Sequence, residues 1–300
     1  MPSLNTGSDR ISRRRLLFAT ALAALPSQAR TPLQHRQPRV ITLEYHATEM
    51  VLALGVTPVG VADTGGYSRW VGVEKARLAT AINVGNRQQP SLEAIAMLRP
   101  DLIVAVDFRH ASLKALLERI APTLMLSSSE REGLAAVFED HRQLALTLGL
   151  ETRAGLALTV LDDCLARERN RLAAAGWAGK PLAILQHIAG VPQMWAFAGN
   201  SVPGGVQKAL GLGGPWLHER ARQGITVKTV EELLVLDVTL ALLGGAPPQT
   251  PVWKQAPAVR HERLLVLPDG LWPFGGPVST VRLVRALSTA LLRRGHADRP

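Results

Sequence analysis

Pro90-Ser91-Leu92-Glu93-Ala94-Ile95-Ala96-Met97-Leu98-Arg99-Pro100-Asp101-Leu102-Ile103-Val104-Ala105-Val106 reads as a short helix that turns sharply into an apolar strand. Ser91 is placed to cap the helix, and Glu93 lies in its first turn, where a carboxylate meets the positive end of the helix dipole. The same order recurs downstream. Thr229-Val-Glu-Glu-Leu-Leu-Val-Leu236 precedes Thr239-Leu-Ala-Leu-Leu243, and Glu231 falls where Glu93 falls. Outward from these two units, strands are predicted near 39–43, 59–62, 123–126, 182–186 and 264–267. Helices are predicted near 48–55, 111–121 and 277–294. Short apolar strands alternating with helices argue for parallel α/β layering. Residues 132–175 keep a helical pattern with few breakers besides Gly149 and Gly155, too long for a routine connector. The fold class is therefore α/β: two α/β lobes with central sheets, 38–145 and 180–296, joined by a single long helix over 146–176.

The first thirty residues are different in kind. Ser12-Arg13-Arg14-Arg15-Leu16-Leu17 leads into an apolar run ending at Leu25, followed by Ser27-Gln28-Ala29. The run is about half the roughly 20 residues a membrane span needs. Residues 1–29 are thus expected to be a twin-arginine export signal cleaved near Ala29, with delivery to the periplasm. With no Cys after the run, no lipid anchor is expected.

The chain has 34 basic and 24 acidic residues, a formal net charge of +10. Residues 1–29 hold four arginines and one aspartate, so cleavage leaves +7. Basic residues elsewhere are scattered and lack interleaved aromatics, which argues against a nucleic-acid partner and for solvated helix faces. Cys164, the only cysteine, excludes an intramolecular disulfide. In its helical setting beside Leu161 and Leu165 it reads as a small buried hydrophobe.

Enzyme signatures are poor. Gly199-Asn200-Ser201-Val202-Pro203 lacks the second glycine of a nucleophile elbow, Gly176-Trp-Ala-Gly179-Lys180 is too short for a phosphate loop, and Gly211-Leu-Gly213-Gly214 follows no strand. The eight histidines show no metal-ligand spacing. His46, His110 and His187 nevertheless lie just past predicted strands, where open α/β sheets place ligands, and could hold a divalent metal. Loop histidines with no ligand role are the favoured alternative. Six tryptophans outnumber five phenylalanines and two tyrosines. Trp70, Trp195 and Trp272 read as large rings on loops after strands, suited to line a cleft.

Residues 39–53, Gly60-Val-Ala-Asp63 through Tyr67-Ser68-Arg69-Trp70-Val71, and Val84-Gly85-Asn86-Arg87-Gln88-Gln89-Pro90-Ser91-Leu92-Glu93 together resemble the periplasmic ferric-hydroxamate-siderophore-binding proteins. The likeness extends more weakly from about 38 to 290. The resemblance implies a class III periplasmic binding protein: two lobes on a rigid helical backbone, a shallow aromatic-lined cleft and little hinge closure. It implies a monomeric, non-enzymatic carrier that needs no cofactor or protein-bound metal, since the siderophore itself wraps Fe3+. Arg87 is implied to hydrogen-bond the iron-coordinating oxygens, with Trp70 and Trp272 as aromatic walls. Glu93 and Glu231 are implied to dock on an inner-membrane ABC permease, itself driven by an ATPase. Tyr67, Met194, Trp195 and Phe274 complete the expected lining. The family's tyrosine opposite the arginine is read as replaced by His110, and an expected aromatic between Trp216 and Thr226 is missing, with Gln223-Gly224 at its place. Haem, cobalamin or a bare divalent metal are the alternative ligands, and an exported hydrolase is the alternative from another class.

Overall fold

Strands buried on both faces are largely apolar, because neither side meets water; Leu102–Val106 is so throughout, and in the equally buried Val40–Thr42 the one hydroxyl, of Thr42, is paired with that of Thr48. A computed structural model describes residues 37–126, 133–187, 191 and 193–297; the export signal expected over 1–29 lies outside the described residues. The first sheet comprises β1 (Val40–Thr42), β2 (Gly60–Val61), β3 (Ile82–Asn83), β4 (Leu102–Val106) and β5 (Thr123–Leu126). All neighbours are parallel, in the order β3-β2-β1-β4-β5. Val40, Leu102, Val104 and Val106 pack on one face with Met50, Val51 and Leu144. Ile41, Ile103 and Ala105 pack on the other with Ile95 and Leu117. The chain leaves β1 toward β2 on one side and β4 toward β5 on the other, so a crevice opens past the ends of these two adjacent strands.

The second sheet comprises β6 (Leu182–His187), β7 (Gln193–Phe197), β8 (Ile225–Thr229), β9 (Thr239–Leu243) and β10 (Leu264–Val266). Its order is β10-β9-β6-β7-β8, with β10, β9 and β6 parallel and β7 antiparallel to both neighbours. The sequence reading placed Trp195 on a loop; it stands instead in the middle of β7, paired with Gln186 and Val227. Between the sheets the helical stretch read over 132–175 comprises two helices, the second of which is the single connecting helix expected over 146–176. Gly133–Leu148 ends at Gly149, whose φ of +67° suits a residue without a side chain, and Glu151–Ala174 then spans roughly 36 Å at 1.5 Å per residue. The expected linker boundary at 146 therefore falls inside the preceding helix.

The last helix, Pro277–Ala297, packs along Glu151–Ala174 and also touches the first helix of the first lobe, Tyr45–Ala53. One carboxylate joins the two. Glu49, fully buried, accepts the backbone N–H of Gly276 at 2.9 Å and of Ser279 at 2.7 Å. An acid at a helix N-terminus satisfies donors that have no partner within the helix. A side chain at residue 275 would collide with Ser279 and Glu49, and one at 276 would lie 2.8 Å from Met50, so both glycines are required by this approach. The residues from 37 onward accordingly form one compact unit rather than two.

Replacing Glu49 with Ala leaves two buried N–H groups without an acceptor and opens a void, a change worth about 3 kcal/mol. Urea denaturation of Glu49→Ala should show that loss; an unchanged midpoint would remove Glu49 from this role.

Candidate functional site

The crevice at the reversal point of the first sheet is filled from below by charge. Glu44 follows β1 and caps the helix Tyr45–Ala53, its side chain accepting the N–H of Tyr45 at 2.9 Å. It is 3% exposed and its two oxygens take one arginine each: Oε1 accepts from Arg87 Nη1 at 2.7 Å and Oε2 from Arg109 Nε at 2.8 Å. Burial by itself would push the Glu44 carboxyl up, but the charge and hydrogen bond of Arg87, the neighbouring His46 and the Tyr45 N–H outweigh it, and its pKa lies below the usual carboxylate range. Arg87 also lies flat on the Tyr45 ring, its guanidinium carbon 3.8 Å from the ring centre, a cation–π contact that fixes the side chain a second time. Tyr45 is held in turn by a hydrogen bond from its hydroxyl to Asp63.

Aromatic rings continue the wall across to the second lobe. Tyr45 meets Trp272 edge-on at 5.3 Å, Trp272 meets Phe274 at 5.2 Å, and Phe274 meets Trp195 at 6.2 Å and Phe197 at 5.9 Å. A cavity between the lobes is bounded by Arg87, Arg109 and Phe108 on one side and by Trp195, Gln223, Trp272 and Phe274 on the other. Asp140, from the helix Gly133–Leu148, borders it as well. Gln223 holds a φ of +55°, rare for a side-chain-bearing residue and a mark of backbone over-determined by its surroundings. Asn200 supplies that constraint, its amide bonding both the N–H and the C=O of Ala221.

Of the residues singled out in the sequence, Arg87, Trp195, Trp272 and Phe274 meet at this cavity. Four others stand elsewhere. His110 is wholly buried: its Nδ1 accepts the Val106 N–H at 3.1 Å, which leaves Nε2–H to donate to the Arg87 carbonyl at 2.8 Å. It braces the loop that carries Arg87, and the neighbouring Arg109 takes the place at the wall. Tyr67 is a core residue whose hydroxyl donates to the Val73 carbonyl. Met194 points to the opposite face of β7 from Trp195, into the cluster with Leu185 and Trp216, because side chains alternate along a strand. Trp70 ends the helix Thr64–Trp70, half exposed and away from the cavity walls. Sequence reasoning missed Glu44, Tyr45 and Arg109. The signal available for them was position, since all three follow β1 or β4.

The three histidines weighed as metal ligands do not converge. His46 borders the cavity, His110 is in the core, and His187 lines a separate depression beside Val191 and Glu231. Among the described residues no group of three His, Cys, Asp or Glu side chains is arranged to hold a metal ion. Ser201 borders the cavity too, but its hydroxyl donates to the Ala198 carbonyl at 2.7 Å and accepts the Gly204 N–H at 2.9 Å; it is a helix cap without an activating base.

The paired lobe-tip acids are both exposed. Glu93 opens the helix Leu92–Met97, capped by Ser91, and Glu231 opens the 3-10 turn Glu231–Val235 beside a reciprocal cap between Thr229 and Glu232. Four residues beyond each acid stand Met97 and Val235, 77% and 84% exposed, the most exposed large apolar side chains among the described residues.

The chain belongs to the periplasmic binding protein family, whose sequence pattern it matches over residues 40–204. It is 30% identical to the iron(3+)-hydroxamate-binding protein FhuD of Escherichia coli over 95% of this chain and 98% of that one. It is 28% identical to the achromobactin-binding periplasmic protein of Dickeya dadantii over 89% and 92%. Among solved structures, the siderophore-binding protein FhuD of Vibrio cholerae with bound Fe3+-Desferal superposes with a TM-score of 0.79 at 27% identity, covering 86% of this chain and 98% of that one. These relatives are binding proteins, and the fold shared with the V. cholerae structure is two α/β sheets linked by a long helix.

Burial holds His46, His110 and His141 below the usual imidazole range, His141 down to about 4. Neither ring nitrogen of His141 has a hydrogen-bond partner among the described residues. At these three histidines the folded state therefore binds fewer protons than the unfolded one, and the stability they contribute is complete well above pH 6.5 and lost as pH falls toward the folded values. Between pH 7 and pH 5 the urea midpoint should drop, and His141→Leu should recover about 2 kcal/mol of that fall. An identical fall in the variant would show that His141 does not carry it.

Proposed function

We propose that this chain is the periplasmic substrate-binding component of an ABC importer that carries a ferric siderophore of the hydroxamate type to an inner-membrane permease, and that it is not an enzyme. The observation that carries this reading is the setting of Arg87: a permanently charged fork, fixed by Glu44 and Tyr45 at the cavity wall, beside the rings of Trp272, Phe274 and Trp195. Hydroxamate oxygens bound to iron carry negative charge, which a guanidinium meets with charge-assisted hydrogen bonds. The rings offer apolar surface to the organic frame of the ligand. Iron stays wrapped by the siderophore, so no protein atom need ligate it. The names of the E. coli relative and of the V. cholerae complex support the hydroxamate class.

Arg87→Ala should weaken ferric-hydroxamate binding by about 2 kcal/mol or more, roughly 30-fold in Kd. Tryptophan-quenching titration measures it, Trp195 and Trp272 both bordering the cavity. Affinity equal to that of the unaltered protein would refute the assignment.

Glu93 and Glu231, with Met97 and Val235 four residues on, present the same acid and apolar pair on each lobe. A permease with two equivalent basic, apolar-edged receiving sites is the partner that fits. Reversing both acids to Lys should leave ligand affinity within about twofold, surface charges remote from a site having little effect on it, and should abolish iron uptake in cells. Normal uptake by that double variant would overturn the docking role.

A further inference from the structure

Arg87 accounts for only one of the two guanidinium groups that border the cavity among the described residues. Arg109 enters from the short helix Asp107–His110 that follows β4, and only its Nε is bound to Glu44. No hydrogen bond from its terminal nitrogens is present among the described residues, and Arg87 Nε is buried without an acceptor. A single carboxylate balances one of two permanent cations, so the Arg87–Glu44–Arg109 cluster keeps one net positive charge. The only other acid bordering the cavity among the described residues, Asp140, belongs to a different wall and makes a contact of its own. Burial lowers the pKa of His46, which also borders it. Two contacts hold Arg109: Glu44 anchors its Nε, and its guanidinium carbon lies 5.1 Å from the centre of the Phe108 ring.

We propose that Arg109 is a second recognition residue that selects ferric siderophores carrying an ionised carboxylate in addition to the oxygens that wrap the iron. This rests on the siderophore-carrier reading and narrows its ligand class. Arg87 would face the iron-bound oxygens, and the free fork of Arg109 would take the added carboxylate by parallel N–H bonds, the geometry a guanidinium offers and an ammonium does not. A neutral or cationic complex would leave that fork without a partner in a wall from which the ligand has excluded water.

The test uses two linear trihydroxamates that differ at one end: ferrioxamine B, whose chain ends in an ammonium, and its N-succinyl derivative, whose chain ends in a carboxylate. By fluorescence titration the unaltered protein should bind the succinyl form tighter, by roughly 10- to 100-fold, the range of one charge-assisted bond. In Arg109→Gln the two should bind within about threefold of each other, and Arg109→Lys, which restores a charge but not the fork, should fall between Arg109→Gln and the unaltered protein. Circular dichroism of each variant checks that it folds. Equal binding of the two ligands by the unaltered protein, a preference that persists in Arg109→Gln, or an undiminished preference in Arg109→Lys would each overturn the proposal and leave the carrier reading standing. Failure of the unaltered protein to bind either ligand would instead overturn the carrier reading, and this proposal with it.

Discussion

A buried carboxylate at the start of a helix from another lobe is the constraint on which the rest of this molecule depends. Glu49 is fully desolvated, a condition that raises the carboxyl pKa and would be costly without donors; the N–H groups of Gly276 and Ser279 supply them. Because the two donors belong to the opening of the last helix, the bond holds the loop 271–276 against the first lobe. Trp272 and Phe274 sit on that loop. Their position in the cavity wall thus follows from a hydrogen bond on their far side, and the two glycines exist to let the backbone come close enough to make it.

The same helix, Tyr45–Ala53, organises the charge. Glu44 begins it and Glu49 lies five residues on, so one buried element fixes the arginine pair and the aromatic loop together. Rings then run from Tyr67 through Tyr45, Trp272 and Phe274 to Trp195 without leaving contact range. Each edge-on contact is worth about 0.5–1.5 kcal/mol beyond the area it buries. A chain of them across the lobe boundary opposes wide hinge opening.

The architecture was legible because it is written twice. The helix-to-strand unit at 91–106 and its echo at 229–243 put exposed acids and buried strands in matching places, and the structure keeps both. Arg87 was legible through the motif around it. What could not be read was orientation. Arg109 and His110 are neighbours on one helical turn, and successive helical residues point about 100° apart; one faces the cavity and the other caps the end of β4. Met194 and Trp195 are neighbours on a strand and point to opposite faces for the analogous reason. Tyr67 reads as a polar aromatic on a glycine-rich stretch, yet a single backbone carbonyl at Val73 suffices to keep its hydroxyl in the core.

Glu44 itself was invisible for a different reason. An acid following a strand and preceding a helix is an ordinary cap, and nothing local in Leu43-Glu44-Tyr45 announces that residues 43 and 65 positions further on will converge on its two oxygens. Only the strand order brings them there: β1 and β4 are adjacent, and the loop after β3 folds back over the strand ends. His110 completes the arrangement, because its Nε2–H fixes the Arg87 carbonyl while its neighbour Arg109 takes the other oxygen of Glu44. Both guanidinium groups are thereby oriented through contacts that a ligand does not need to break. Among the described residues, Arg87 Nε and the Trp272 indole N–H at the same wall are buried without a hydrogen-bond partner, so the polar capacity of this cleft is not used up by its own side chains.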